Sequence, residues 1–153
     1  DPVDVEDLLA DSGDAPWRGM PAGTRIGHVH LHVGDLAAAD AFYAEGLGFD
    51  RTVWSYPGAL FLAAGGYHHH LGVNTWAGPG ARPAREDEAR LLAWTIVVPA
   101  AADVDAAASS LVAARYDATR DDADAWIAED PWGTHVRIVP SAPGAPAPDP
   151  QRG

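Results

Sequence analysis

Twice along this chain a strand-like stretch, alternating the first time and strongly apolar the second, runs into a helix-capping aspartate, an alanine-rich helix and then three short strand-like segments. That repetition limits the possible folds more than any other feature. The first pass opens with Gly27-His28-Val29-His30-Leu31-His32-Val33, followed by Gly34 and Asp35, the predicted N-cap. Leu36, Ala39, Tyr43 and Leu47 recur at steps of three and four, predicting an amphipathic helix that ends at Gly46 or Gly48. Strands are then predicted over Phe49–Tyr56, Ala59–Ala64 and His68–Thr75, separated by the turn signals Pro57-Gly58 and Gly65-Gly66. A proline- and charge-containing loop, Gly78–Arg90, leads to the second pass. There Leu91–Val98 reads as a strand, Asp103 as the cap of a helix through Arg115, and Val104, Ala107, Ala108 and Leu111 as its buried face. Three strand segments follow, around Tyr116–Arg120, Ala125–Ala128 and His135–Val139, the last two parted by the turn over Glu129–Thr134. Two such units, about 24–78 and 90–140, form an α+β fold of paired βαβββ modules that need each other to bury their faces.

The chain has 153 residues, 47% of them hydrophobic, enough for one ordinary domain. Residues 24–140 are expected to form it. Residues 1–23 read as an amphipathic helix, with Val5, Leu8 and Leu9 at helical spacing, and a linker; residues 141–153 read as a disordered tail rich in proline and alanine. The 22 acidic residues outweigh 10 basic ones, all arginine, giving a net charge of −12 that repels nucleic-acid backbones and anionic membranes. No apolar run approaches the ~20 residues of a membrane span. With no cysteine there is neither a disulfide nor a thiolate nucleophile. A soluble, cytoplasmic protein with a small-molecule partner is expected.

Six of the seven histidines lie in two short stretches. Strand alternation places His28, His30 and His32 on one face, with His32 at the strand end near solvent, and Val29, Leu31 and Val33 on the other. Across Tyr67-His68-His69-His70, the same rule pairs His68 with His70 and turns His69 to the opposite, structural face. Neutral imidazole is a ligand for Fe(II), Mn(II), Ni(II) or Zn(II). On the last strand His135 and Arg137 share a face, where His135 is a candidate general base and Arg137 either an anion clamp or a surface ion-pair partner. The tryptophans beside turns, Trp54, Trp76 and Trp132, read as packing.

Taken with Gly27–Leu36, Ala41-Phe42-Tyr43-Ala44-Glu45-Gly46-Leu47-Gly48-Phe49 and Asp130-Pro131-Trp132-Gly133, Thr24–Pro140 resembles the vicinal oxygen chelate superfamily, which includes glyoxalase I, bleomycin-resistance proteins and type I extradiol dioxygenases. More narrowly, Ala59–Trp76 is similar to the second half of bacterial catechol-2,3-dioxygenase-like proteins built from tandem copies of the fold. The resemblance implies a divalent metal, Fe(II) foremost and Mn, Ni or Zn otherwise, with its first-strand ligand at His28 and its fourth-strand ligand at His70. The two remaining family positions carry Ala93-Trp94 and Arg137, and arginine offers no lone pair. Three arrangements follow. Histidines of the two clusters, His28, His30, His68 and His70, complete the site. Another chain completes it, in a homodimer. Or the metal is lost, and His28, His70, Trp94, Trp126, His135 and Arg137 line a ligand cavity. With His28 and His70 on the metal, His30, His68, Trp94, Trp126 and Arg137 are the expected substrate-binding residues and His135 the expected catalytic one. The functional expectation is a metal-dependent dioxygenase or lyase acting on a small aromatic or vicinal-oxygen substrate. The alternative is a non-catalytic binding protein of the bleomycin-resistance kind, or a half-protein whose role is pairing.

Overall fold

In the computed structural model, which describes residues 3–13, 16–22, 24 and 26–142, the short apolar runs pair as two four-stranded sheets. The first contains β1 (Val29–His32), β2 (Asp50–Val53), β3 (Ala59–Ala63) and β4 (Leu71–Asn74), in the spatial order β1-β4-β3-β2. The second repeats it with β5 (Ala93–Val98), β6 (Ala118–Arg120), β7 (Trp126–Glu129) and β8 (His135–Pro140), ordered β5-β8-β7-β6. In each, the first strand pairs parallel with the last and the others run antiparallel. This is the paired βαβββ arrangement expected of the repeat. A short helix, α1 (Val5–Ser12), precedes the sheets, with Val5, Leu8 and Leu9 exposed. Among the described residues, no helix is long and apolar enough to cross a membrane. The Pro/Ala-rich tail expected over 141–153 lies outside the described residues from 143 onward.

Asp35 caps the first crossover helix as predicted, its Oδ1 accepting the Ala38 N–H at 2.8 Å. That helix, α2 (Leu36–Asp40), widens into a π-helical segment over Ala41–Gly46, where the Leu47 N–H reaches back to Phe42 O at 2.9 Å. The second crossover helix, α3 (Ala101–Ala113), begins earlier than Asp103 suggested. Its N-cap is Ala100, and Asp103 sits one turn inside, accepting the Ala100 N–H at 2.9 Å. A carboxylate in the first turn satisfies an orphan donor as well as one in the cap position does.

The helices share one core with both sheets. Phe42 and Tyr43 are fully buried, Phe42 packs edge-on against Tyr116 at 4.9 Å, and Leu60, Leu62, Leu71, Val73, Leu111, Val136 and Ile138 close the space around them. At the end of β1, Gly34 lies against the loop that leads to the second module: a β-carbon there would stand 2.5 Å from Ala81 O, and Gly34 O accepts the Gly80 N–H at 2.7 Å. The faces turned away from the helices are open along β1 and β5. On the first they carry His28, His30 and His32; on the second, Thr95 and Val97.

Candidate metal centre

Alternation along β1 turns Leu31 and Val33 inward and leaves the imidazoles of His28 and His30 on the open face. The parallel register sets His30 opposite Gly72, and Gly72 in turn opposite Phe61 on β3. Glycine at that middle position lets the His30 ring lie across the sheet. A β-carbon on Gly72 would meet the ring's Cε1 at 2.9 Å, Nδ1 at 3.0 Å and Nε2 at 3.2 Å. From the turn before β4, the His69 ring comes down onto Phe61, with centroids 5.0 Å apart. It stands 4.8 Å from the His28 ring and 5.3 Å from that of His30.

One nitrogen from each of His28, His30 and His69 lies within 4.8 Å of the others. Nitrogens bound at about 2.1 Å to one ion stand roughly 3.0–3.4 Å apart. His30 Nε2 and His69 Nε2, at 3.3 Å, already meet that spacing. The donor set therefore fits a divalent ion that accepts imidazole. Burial, and then the neighbouring histidines with His28 first among them, lower the pKa of His69 and keep it neutral, the form that coordinates. Among the described residues no carboxylate belongs to this group. The Gly72→Ala variant tests the geometry. It should keep its melting temperature, because the clash is with a movable ring, while metal affinity in a chelator competition falls by about 10–100-fold, as when an orienting partner is lost.

The expected site residues are distributed unevenly around this centre. His28 and His30 are in it. His68 is adjacent, its ring 4.5 Å from His69 and 6.2 Å from His28. His70 is not drawn into the group. Its Nδ1 accepts the Ala64 N–H at 3.2 Å, and its ring packs on Tyr67 at 4.6 Å. His69, expected on the structural face, takes the place beside His28 and His30. The reason is local: β4 starts only at Leu71, so residues 68–70 form a bend to which strand alternation does not apply. Phe61, the floor under His69, was also missed, since its position depends on which strands pair.

The second sheet's expected residues divide between its two faces. Trp94 and Trp126 stand in register with the buried Val136 and Ile138, on the helix side. The Trp94 ring lies 6.3 Å from that of Tyr43, and Trp126 Nε1 donates to Asp105 of α3 at 3.1 Å. His135 and Arg137 do face outward, both already engaged. His135 Nε2 is 3.1 Å from the Glu129 carboxylate, and Arg137 holds Asp121 through Nε and Nη2, keeping the Asp121 pKa below the ordinary range.

The whole of residues 25–138 matches the model of the Glyoxalase/Bleomycin resistance protein/Dioxygenase superfamily. Over 116 residues the chain is 47% identical to a protein named Catechol-2,3-dioxygenase from Bacillus subtilis (strain 168), covering 74% of this chain and 40% of that protein. It thus spans well under half the length of that relative. Among solved structures it resembles a glyoxalase/dioxygenase from Nostoc punctiforme (TM-score 0.60, 13% identity, 84% of this chain and all of that one). It also resembles Lactoylglutathione lyase from Agrobacterium tumefaciens (TM-score 0.55, 19% identity, 79% of this chain and 96% of that one). The duplicated sheets, the family match and the near-half identity to one relative lead to one conclusion: this chain belongs to the glyoxalase/bleomycin resistance/dioxygenase superfamily.

Proposed function

We propose that the chain is a metal-dependent, catechol dioxygenase-like enzyme, a cytoplasmic homodimer acting on a small aromatic or vicinal-oxygen substrate, with its metal held by His28, His30 and His69. The observation that carries this reading is the convergence of three imidazoles on the open face of a sheet whose sequence is close to that of a catechol-2,3-dioxygenase. A divalent ion, Fe(II) foremost and Mn, Ni or Zn otherwise, would supply Lewis acidity toward vicinal oxygens and, in the case of Fe(II) but not of Zn(II), a path for electrons. The chain's own part is positional. Gly72 sets the plane of His30, and Phe61 supports His69 on an apolar floor that resists displacement of the rings. Support for pairing comes from Val97, 59% exposed on the open face of the second sheet, and Leu92, 63% exposed at its edge.

Anaerobic loading with Fe(II), Mn(II) or Zn(II), metal analysis and a catechol-dependent oxygen-uptake assay on one sample test the reading. Near-stoichiometric metal, with oxygen uptake in the Fe(II)-loaded sample, is the expected result. Occupancy of only a few per cent after loading would overturn it. A second reading, binding without turnover, is favoured by the all-histidine donor set, because a ring-cleaving iron site is expected to include a carboxylate. Stoichiometric metal with saturable catechol binding and no oxygen uptake would select it.

A further inference from the structure

Next to the triad lies a cavity of about 400 Å³, enclosed by β1, the loop over residues 77–91 and the turn at 130–134. That volume is within the range of small-molecule sites, about 300–1,000 Å³. His30, one of the triad, also belongs to its wall, together with Leu31 and His32, so the cavity lies along β1 beside the candidate metal centre. Two arginines, Arg82 and Arg90, also line it.

The two differ in what they face. Arg82 is neutralised: Nη1 and Nη2 donate to the two carboxylate oxygens of Glu88 at 2.9 and 2.6 Å, and this contact, with the Arg85 N–H, pulls the Glu88 pKa down to about 2. Arg85 is likewise paired, with Asp87. Arg90 donates through Nη1 to Ala84 O at 3.2 Å and, among the described residues, faces no carboxylate. One acidic residue, Asp130, does reach the cavity wall. Its carboxylate is turned inward, 4% exposed, and already accepts from Tyr43 Oη, Trp132 N and Thr134 N. In a chain of net charge −12, acidic partners for an arginine are abundant. Here Arg82 takes Glu88 and Arg85 takes Asp87, and Arg90, at the cavity wall, is left without a carboxylate among the described residues.

We infer that this cavity selects a substrate carrying a carboxylate, which Arg90 binds, while the remainder of the molecule extends toward His30. A guanidinium presents parallel N–H donors that match a carboxylate, and a planar dihydroxybenzoate-type acid has its vicinal oxygens at the end opposite its carboxylate. The orientation toward the metal rests on the function proposed above. The carboxylate preference does not.

Titration of metal-free protein, stripped with chelator, separates the two. The probes are 3,4-dihydroxybenzoate, benzoate and catechol, read by calorimetry or by the fluorescence of Trp132, which lines the cavity. The expected result is that 3,4-dihydroxybenzoate binds at least about tenfold more tightly than catechol, the effect of one charge-assisted hydrogen-bonded pair, and that benzoate also binds. Arg90→Gln should erase the difference and Arg90→Lys should retain part of it. Because Arg90 is exposed, both variants should melt with the wild type. His69→Ala should keep the preference while losing metal. Equal binding of catechol and 3,4-dihydroxybenzoate, no saturable binding of either acid at millimolar concentration, or a preference that survives in Arg90→Gln would each overturn the inference. Failure of metal loading with the preference intact would overturn the metal reading alone.

Discussion

His69→Ala should bind Fe(II), Mn(II) or Zn(II) more than about 100-fold more weakly than the unaltered chain, beyond the 10–100-fold usual for an outer-shell partner. The reasoning is geometric. The His30–His69 nitrogen pair, at 3.3 Å, is already at the span of a shared ion, so losing His69 removes a preformed edge of the site. His70→Ala supplies the comparison. Its ring packs on Tyr67 and accepts a backbone N–H, and its removal should leave metal affinity within a few-fold of the unaltered chain. Competition with a chromophoric chelator measures both variants. If His70→Ala abolished binding and His69→Ala did not, the metal would belong with His28 and His70 instead.

The second large effect concerns stability. Asp130→Ala should destabilise the fold by about 3–4 kcal/mol, read from chemical denaturation with an unchanged slope. The Asp130 carboxylate, 4% exposed, accepts from Tyr43 Oη at 2.7 Å, Trp132 N at 2.9 Å and Thr134 N at 2.8 Å. It ties the turn before β8 to the middle of the first module's helix. Burial, reinforced by the charge of Asp130, drives the Tyr43 pKa far upward, so the hydroxyl stays protonated and donating. Tyr43→Phe removes one of the three bonds and leaves the two backbone donors satisfied. It should cost about 1.5–3 kcal/mol, the range for a hydrogen bond to a charged group. A loss below 1 kcal/mol for Asp130→Ala would mean that water replaces these contacts freely.

The fold was legible because its signals are local and redundant. Alternation in Gly27–Val33, the apolar run of Leu91–Val98, the Asp35 cap and the glycine-containing turns each point to the same repeated unit. The site was legible only as far as strand periodicity extends. His28 and His30 lie on or beside β1, where alternation applies, and both reach the triad. His69 lies in a bend, where it does not. Arg90 reads in the sequence as part of a charged surface loop, because its significance depends on which arginine captures Glu88, a matter of distances that sequence spacing does not supply. Family position sets Trp94 at the site and proximity to the last strand adds Trp126, while the register with Val136 and Ile138 turns both to the helices.

The parallel pairing of first and last strands in each module bears on how the molecule assembles. Val29 meets Leu71 and Ala93 meets His135 only after the chain has closed a loop of about 40 residues, an entropic toll that local hairpins escape. His28 and His30 lie on one side of that closure and His69 on the other, with the Val29 N–H bonded to His70 O at the seam. The triad therefore exists only when the first module has shut. A metal that binds there favours the closed state by mass action, so the ion would slow the module's opening as well as serve its chemistry.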